Sequence, residues 1–435
     1  MGRGFESLSA HFISQPPYLR ELDHRDMNAL DVLYIPLALL SAPFWARKKR
    51  GGWSERFGKI EPMLSERWAN HTKPVVLLHA VSVGEVNALR ALVPLLTDEA
   101  TVVVSTTTDT GLARAQSIFS GTCEVVRYPL DCSWMVKRFL NTIQPDVVGL
   151  VELEVWPNFV KYCKKRQIPI GLINGRLSAR SFKGYMRARP LLQPTFARLD
   201  YCCMQDDAYA QRVAAMGATN VTVVGTMKWD ALDVFGPIPD PSEEAITLAD
   251  ELGLDRTKPI VVAGSTAPGE EELLDQACPD DVQLVCAPRK PDRFDEPDPT
   301  IEGWTRRSDR TPKPNTRFLL DTLGELSTLY ELADIVVIGR SFFDLHGSDM
   351  LEPAALGKPV LIGPQNSDFA SQIDALLAAD AIEVIDRNGL ADRIAALLAD
   401  PTRRLELGDN ARRCVAEHQG ASKTHAEILL DRARS

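Results

Sequence analysis

Residues 74–89 read PVVLLHAVSVGEVNAL. The run from Pro74 to Leu78 is apolar without polar alternation, as in a strand buried on both faces, and the helix pattern begins just after Gly84. A buried strand running straight into a helix is half of a βαβ unit. Gly84 is read as the residue that lets the chain turn off the strand, or a ligand approach it closely. Glu85 then lies in the first helical turn at the carboxyl end of a strand. Two explanations of that acid stand side by side: it complements the helix dipole, or it occupies the strand-end position of active-site residues.

Working outward, the same alternation of short Val/Ile/Leu runs with helical patterns recurs along the chain. VVLLHA, TVVVST, DVVGLV, IPIGLIN, DYCCMQ and VTVVG are strand candidates between residues 75 and 225. The Pro- and acid-rich stretch FGPIPDPSEE (235–244) interrupts the rhythm like a linker. PIVVAGST, VQLVCAP, RFLLDT, ADIVVIGRS, PVLIGP and AIEVI then restart it, before a helical C-terminus. This predicts an α/β protein of two doubly wound, Rossmann-like domains, 51–234 and 235–435, behind an N-terminal extension, 1–50. Their facing edges are expected to form the active cleft.

The 435 residues are enough for two cores, and a net charge of −10 argues against nucleic-acid binding. The eight cysteines show no metal-binding spacing and read as reduced, mostly buried thiols. VLYIPLALLSAPFWA (32–46) is apolar but falls short of the roughly 20 residues of a spanning helix. With Trp45 beside Arg47, Lys48, Lys49 and Arg50 it reads either as a shallow membrane-associated segment with its basic end on the cytoplasmic side, or as a buried amphipathic helix. No cleavage site follows it, so export is not expected, and Met27 offers an alternative start. Dinucleotide, P-loop and nucleophile-elbow motifs are all missing. Glu152 and Glu154 have no histidine nearby, so neither a metal nor a cofactor is expected.

Three segments carry chemistry: VSVGEVNALRALVPLL around Glu85, a basic run, and two motifs in the second half. Residues 161–190 contain nine basic residues and no acid. Lys161 to Arg166 fit a solvated helix face. In NGRLSARSFKGY, Asn174, Arg176, Ser178, Arg180 and Ser181 interleave where a strand ends, which suits an anionic partner such as phosphate. GSTAPGEEELL (264–274) is a strand end, a turn and a helix start whose free N–H groups can receive a phosphate. LEPAALGKPVLIGP (351–364) opens with Glu352, either a helix-start acid or an acceptor for ribose hydroxyls.

With GGWSERFGK (51–59), VELEVWPN (151–158), GTMKWD (225–230), PRKPDRF (288–294) and DTLGELSTLYELADI (321–335), these motifs resemble the Kdo transferases. Those glycosyltransferases move 3-deoxy-D-manno-octulosonic acid (Kdo) from CMP-Kdo to the lipid A precursor of lipopolysaccharide. The resemblance runs from about Leu33 to the C-terminus. It implies a glycosyltransferase B fold with an N-terminal membrane anchor, location at the cytoplasmic face of the inner membrane, and metal-independent inverting transfer with Glu85 as general base. It also implies a C-terminal domain that holds CMP through Ser265, Thr266, Arg289, Gly324, Glu325 and Glu352. The phosphorylated acceptor, lipid IVA, falls to the N-terminal domain, with Ser82, Gly84, Glu154, Asn174, Arg176, Ser178, Arg180 and Ser181 as its binding positions.

The chain departs from that family in its donor half. Ser265-Thr266-Ala267 stands where Ser-Thr-His is usual, Pro288-Arg289-Lys290 where Pro-Arg-His is, and His346-Gly347-Ser348-Asp349 where Gly-Gly-His-Asn is. Lys290 is read as a substitute cation. The alternatives are a transferase or epimerase of the same fold using another nucleotide sugar, or a non-catalytic lipid A-binding protein.

Overall fold

The computed structural model describes residues 31, 51–60, 72–232, 234, 238, 240–294, 301–309 and 315–435. The apolar segment 32–46, the basic residues 47–50, Met27, and positions 235–237 and 239 of the linker-like stretch lie outside the described residues. Among those described, no helix is long and apolar enough to cross a membrane.

Two compact units divide the chain: Met1–Met227 with Ala421–Ser435, and Lys228–Gly420. Each holds a seven-stranded, wholly parallel sheet. The first comprises β1 Val75–Ala80, β2 Thr101–Thr106, β3 Glu124–Arg127, β4 Val147–Val151, β5 Ile170–Gly175, β6 Tyr201–Met204 and β7 Val221–Val223, in the order β3-β2-β1-β4-β5-β6-β7. The second comprises β8 Ile260–Thr266, β9 Gln283–Pro288, β10 Thr305–Arg306, β11 Arg317–Leu319, β12 Ile335–Ile338, β13 Val360–Ile362 and β14 Ile382–Val384, in the order β10-β11-β9-β8-β12-β13-β14. The order reverses beside the first strand of each sheet, between β1 and β4 and between β8 and β12, and such switch points are where doubly wound sheets bind ligands.

The apolar runs follow from burial on both faces. In β1, Val75 and Leu77 enter one core and Val76, Leu78 and Ala80 the opposite one. In β8, Val262 and Val261 divide likewise. The strands β3 and β10 go beyond the sequence-based expectation, since neither EVVR nor TR is long or apolar enough to signal a strand.

The end of the chain corrects the expected domain boundary. The helix Ala421–Arg434 belongs to the first unit, where Leu429 and Leu430 join Leu78 and Val151 in one core. Gly149 makes room for it: a Cβ there would sit 3.1 Å from Leu78 and 3.4 Å from Leu429. A helix alternating after β14 looks the same in sequence whichever sheet receives its apolar face. All eight cysteines are free, and six are buried.

Candidate functional site

β1 delivers Glu85 to the switch point of the first sheet. Ser82 caps the short helix Val83–Ala88, and Glu85 occupies its first turn with 8% of its surface exposed. One carboxylate oxygen, Oε1, accepts the Ser82 hydroxyl at 2.8 Å, and Oε2 accepts the Val81 N–H at 2.8 Å. Each oxygen keeps a lone pair for another donor. Burial pushes the Glu85 carboxyl up to about 7, against the Val81 and Ser82 hydrogen bonds and with help from the charges of Glu152 and Glu154. A carboxyl poised there exchanges a proton near neutral pH.

The neighbouring loop braces this turn. Thr108 donates its hydroxyl to the Val81 carbonyl at 2.7 Å and caps the helix Asp109–Phe119 by accepting the Gly111 N–H. A Cβ on Gly111 would lie 2.8 Å from the Thr108 hydroxyl and 2.9 Å from the Val81 carbonyl oxygen. The buried Arg56 donates to the Thr107 carbonyl at 2.9 Å and pairs with Asp109 at 3.2 Å. Gly111 and Arg56 were not among the expected site residues; the only sequence signal was Arg56's place within GGWSERFGK.

Gly84 needs correcting. It lies inside the helix, exposed and with ordinary helical backbone, and a Cβ there would meet only the Ser82 hydroxyl at 3.9 Å. The turn off β1 is made by Val81 and Ser82, and Gly84 leaves open surface beside Glu85. From β4, Glu152 follows in the left-handed region at φ 54°, and Glu154 accepts the Trp156 indole N–H at 3.0 Å. Burial raises the Glu154 carboxyl, the Trp156 bond opposing and the Glu152 charge adding. Tyr185 is raised by burial and then by Glu154, so the helix Ala179–Arg187 borders the same carboxylates.

That helix holds the basic candidates. Ser178 caps it by accepting the Ser181 N–H at 3.2 Å, and none of its residues is buried. Arg180, Ser181, Gly184 and Tyr185, with Ala188 and Leu192, line an open surface hollow of about 470 Å³. Arg176 precedes that helix and is not among the lining residues; its Nε lies 3.4 Å from the Tyr209 hydroxyl. Asn174 parts company with this group. It has no exposed surface and sits at φ 50°; its Oδ1 accepts the Met227 N–H at 3.1 Å and its own N–H donates to His425 at 3.2 Å. It ties both chain crossings of the first unit to β5, while its buried Nδ2 has no hydrogen-bond partner among the described residues.

In the second unit, Ser265, the last residue but one of β8, stands in the left-handed region at φ 60° and is half-buried. Thr266 is fully buried and donates its hydroxyl to Glu271 at 2.6 Å; Glu271 in turn pairs with Arg293 at 2.9 Å. Arg289 and Lys290 are exposed beside them, and the Arg289 N–H donates to the Thr266 carbonyl at 3.0 Å. At the expected phosphate-receiving helix start, Gly269 stands at the N-cap and Glu270, Glu271 and Glu272 fill the first turn. The Ala267 N–H is taken by Glu270 at 2.9 Å, so an internal carboxylate satisfies that group.

Gly324 turns at φ 91° before Glu325, which accepts hydrogen bonds from Arg307 at 2.9 Å and from Thr322. Against the burial that would raise it, those bonds hold the Glu325 carboxyl below its ordinary value. Arg307, Arg293, Glu270 and Glu271 are therefore structural partners that spacing alone did not single out. Glu352 is exposed in the first turn of the helix Leu351–Ala355. Burial, then the Glu352 and Asp349 charges, raise the phenol of Tyr330, whose hydroxyl occupies the space a side chain on Gly264 would need. No cluster of three or more metal-ligating side chains occurs among the described residues.

The family described as 3-deoxy-D-manno-octulosonic-acid transferase (kdotransferase) matches residues 51–231. A 3-deoxy-D-manno-octulosonic acid transferase of Bordetella pertussis is 30% identical over 421 residues, spanning 89% of this chain and 94% of the relative. One from Haemophilus influenzae is 29% identical over 377 residues, spanning 81% and 86%. Among solved structures, Anabaena HepE in complex with UDP superposes with a TM-score of 0.58 at 15% identity, covering 82% of this chain and 99% of its own. The UDP-GlcNAc 2-epimerase of Neisseria meningitidis gives 0.54 at 13%, covering 82% and 100%. At that identity the two structures speak for the glycosyltransferase B type of fold alone.

Proposed function

The chain belongs to the 3-deoxy-D-manno-octulosonic acid (Kdo) transferase family and is a glycosyltransferase, and from that premise we propose that it moves Kdo from CMP-Kdo to the phosphorylated lipid A precursor, lipid IVA, with inversion and with Glu85 as general base. The observation that carries this reading is the Glu85 carboxyl, pushed up to about 7 at the switch point of the first sheet with a lone pair free on each oxygen.

The acceptor hydroxyl gives its proton to Glu85 as its oxygen bonds to the anomeric carbon of Kdo. The bond from that carbon to the phosphate oxygen breaks, and CMP leaves with the electron pair. A nucleoside monophosphate departs readily, so the demanding task is activating the hydroxyl, and a positioned base typically contributes about 10²–10⁴-fold. Arg176, Ser178, Arg180 and Ser181 suit the acceptor phosphates. Ser265, Thr266, Arg289, Lys290, Gly324, Glu325 and Glu352 form the donor side. The apolar 32–46 segment with its basic end supports action at the cytoplasmic face of the inner membrane.

Incubation with lipid IVA and either CMP-Kdo or UDP-sugars tests the reading, through the nucleotide released and the number of sugars attached. CMP release with Kdo on the lipid is expected; UDP release without CMP sinks the proposal.

A further inference from the structure

In the second unit one carboxylate is bound from two directions. Glu270 has no exposed surface. Its Oε2 accepts the Ala267 N–H at 2.9 Å and the Arg340 N–H at 2.7 Å, while Oε1 accepts the Ser341 N–H at 3.0 Å and the Phe342 N–H at 3.2 Å. Arg340 stands in the left-handed region at φ 59°, so three successive N–H groups converge as in an anion-binding nest. The anion in this nest is the protein's own. Ala267 follows β8 and Arg340 follows β12, the two strands that flank the switch point of the second sheet. Gly339 lets the loops touch, because a Cβ there would lie 2.6 Å from the Ser265 carbonyl oxygen and 2.7 Å from the Thr266 Cα. Ser341 carries the link onward by accepting the Gly363 N–H at 2.8 Å beyond β13.

We propose that Glu270 is the positioning residue of the donor site: it fills the nest after β12, locks that loop to the loop after β8, and leaves the donor phosphate to Ser265 and its neighbours. The inference rests on the donor reading given above. Burial raises the Glu270 carboxyl and the four N–H groups oppose that rise. Removing an acceptor leaves buried donors unpaired, which is the expensive outcome.

The test is Glu270→Gln in the full chain. The amide keeps the shape but has one acceptor oxygen, and its NH2 faces two N–H donors. The folded variant is expected to bind CMP at least about tenfold more weakly while the acceptor KM stays within about twofold, since only donor-side loops lose their anchor. Amide exchange without nucleotide is expected to quicken in 265–268 and 339–343 together, leaving 321–325 unchanged. CMP binding within about twofold of wild type in a folded variant, or loosening of one loop alone, overturns the proposal. If the variant does not fold, exchange in the wild-type enzyme decides: CMP should protect both loops together, and protection of only one refutes the coupling. Wild type that binds no CMP defeats the donor reading, and nucleotide-free exchange then still tests the coupling.

Discussion

The Ser82 hydroxyl donates to Glu85 Oε1 at 2.8 Å and accepts the Glu85 backbone N–H at 3.4 Å. This reciprocal pair is a variant of the capping box, with the acid reaching back to the Val81 N–H instead of the cap residue's own. The device that starts the helix therefore also orients the proposed base.

The first consequence is a pH dependence. Glu85 serves as a base only when ionised, and burial raises its carboxyl to about 7, so kcat/KM should fall with an apparent pKa near 7 on the acid side. Glu85→Gln should lose about 10²–10⁴-fold in kcat and abolish that limb while CMP binding persists. Stability has the opposite sign. A raised carboxyl contributes stability below its unfolded value of 4.5 that is lost as pH rises through about 7. Denaturant unfolding between pH 5 and 8 should show a smaller loss in the Gln variant.

Ser82→Ala separates capping from tuning. Losing the cap should cost about 1 kcal/mol by denaturant unfolding. The hydroxyl's bond favours the ionised form, so without it the acid limb should move to higher pH in a kcat/KM profile.

Two glycines near Glu85 should respond differently. Gly111→Ala pushes a methyl group into the Thr108 hydroxyl and the Val81 carbonyl, so thermal unfolding should show a loss of about 1–3 kcal/mol. Gly84→Ala meets open space within a helix and should be neutral or stabilising by up to about 1 kcal/mol. A raised acceptor KM in that stable variant would register the ligand approaching Gly84.

Arg180→Ala removes an exposed charge from a helix with no buried residue, so the melting temperature should stay unchanged while the acceptor KM rises. The effect should shrink with added salt, because exposed charge pairs are screened. An acceptor KM equal to wild type at low salt removes this helix from the acceptor site.

Leu429→Ala should cost about 2–5 kcal/mol, since the side chain is fully buried against the first sheet. Calorimetry should show the transition of the first unit moving down while that of the second is unchanged. Movement of the second instead would contradict the return of the C-terminal helix.

Much of the fold was legible because strands buried on both faces carry continuous apolar runs, as Val75–Leu78 in β1, Val102–Val104 in β2, Ile260–Ala263 in β8 and Leu284–Ala287 in β9 do. Local rules could not reveal β3 and β10, which are short and depend on neighbours for their hydrogen bonds. In the candidate site, the position of Glu85 in a first helical turn after a buried strand was legible, while that position alone left a helix-dipole acid and an active-site acid side by side. The full burial of Asn174 and its bonds to Met227 and His425 were not legible, because an Asn at a strand end looks alike in sequence whichever partners it meets.

By itself the sequence determined the two parallel α/β units and the acid that follows the first strand, since apolar run length, period and turn chemistry are local properties. Tertiary structure alone decided that Val81 and Ser82 make the turn, that burial lifts Glu85 to about 7, that Glu270 fills the nest after β12, and that the last helix returns to the first sheet. Each of these depends on desolvation or on hydrogen bonds between residues distant in the chain, and such terms exist only once the chain has packed.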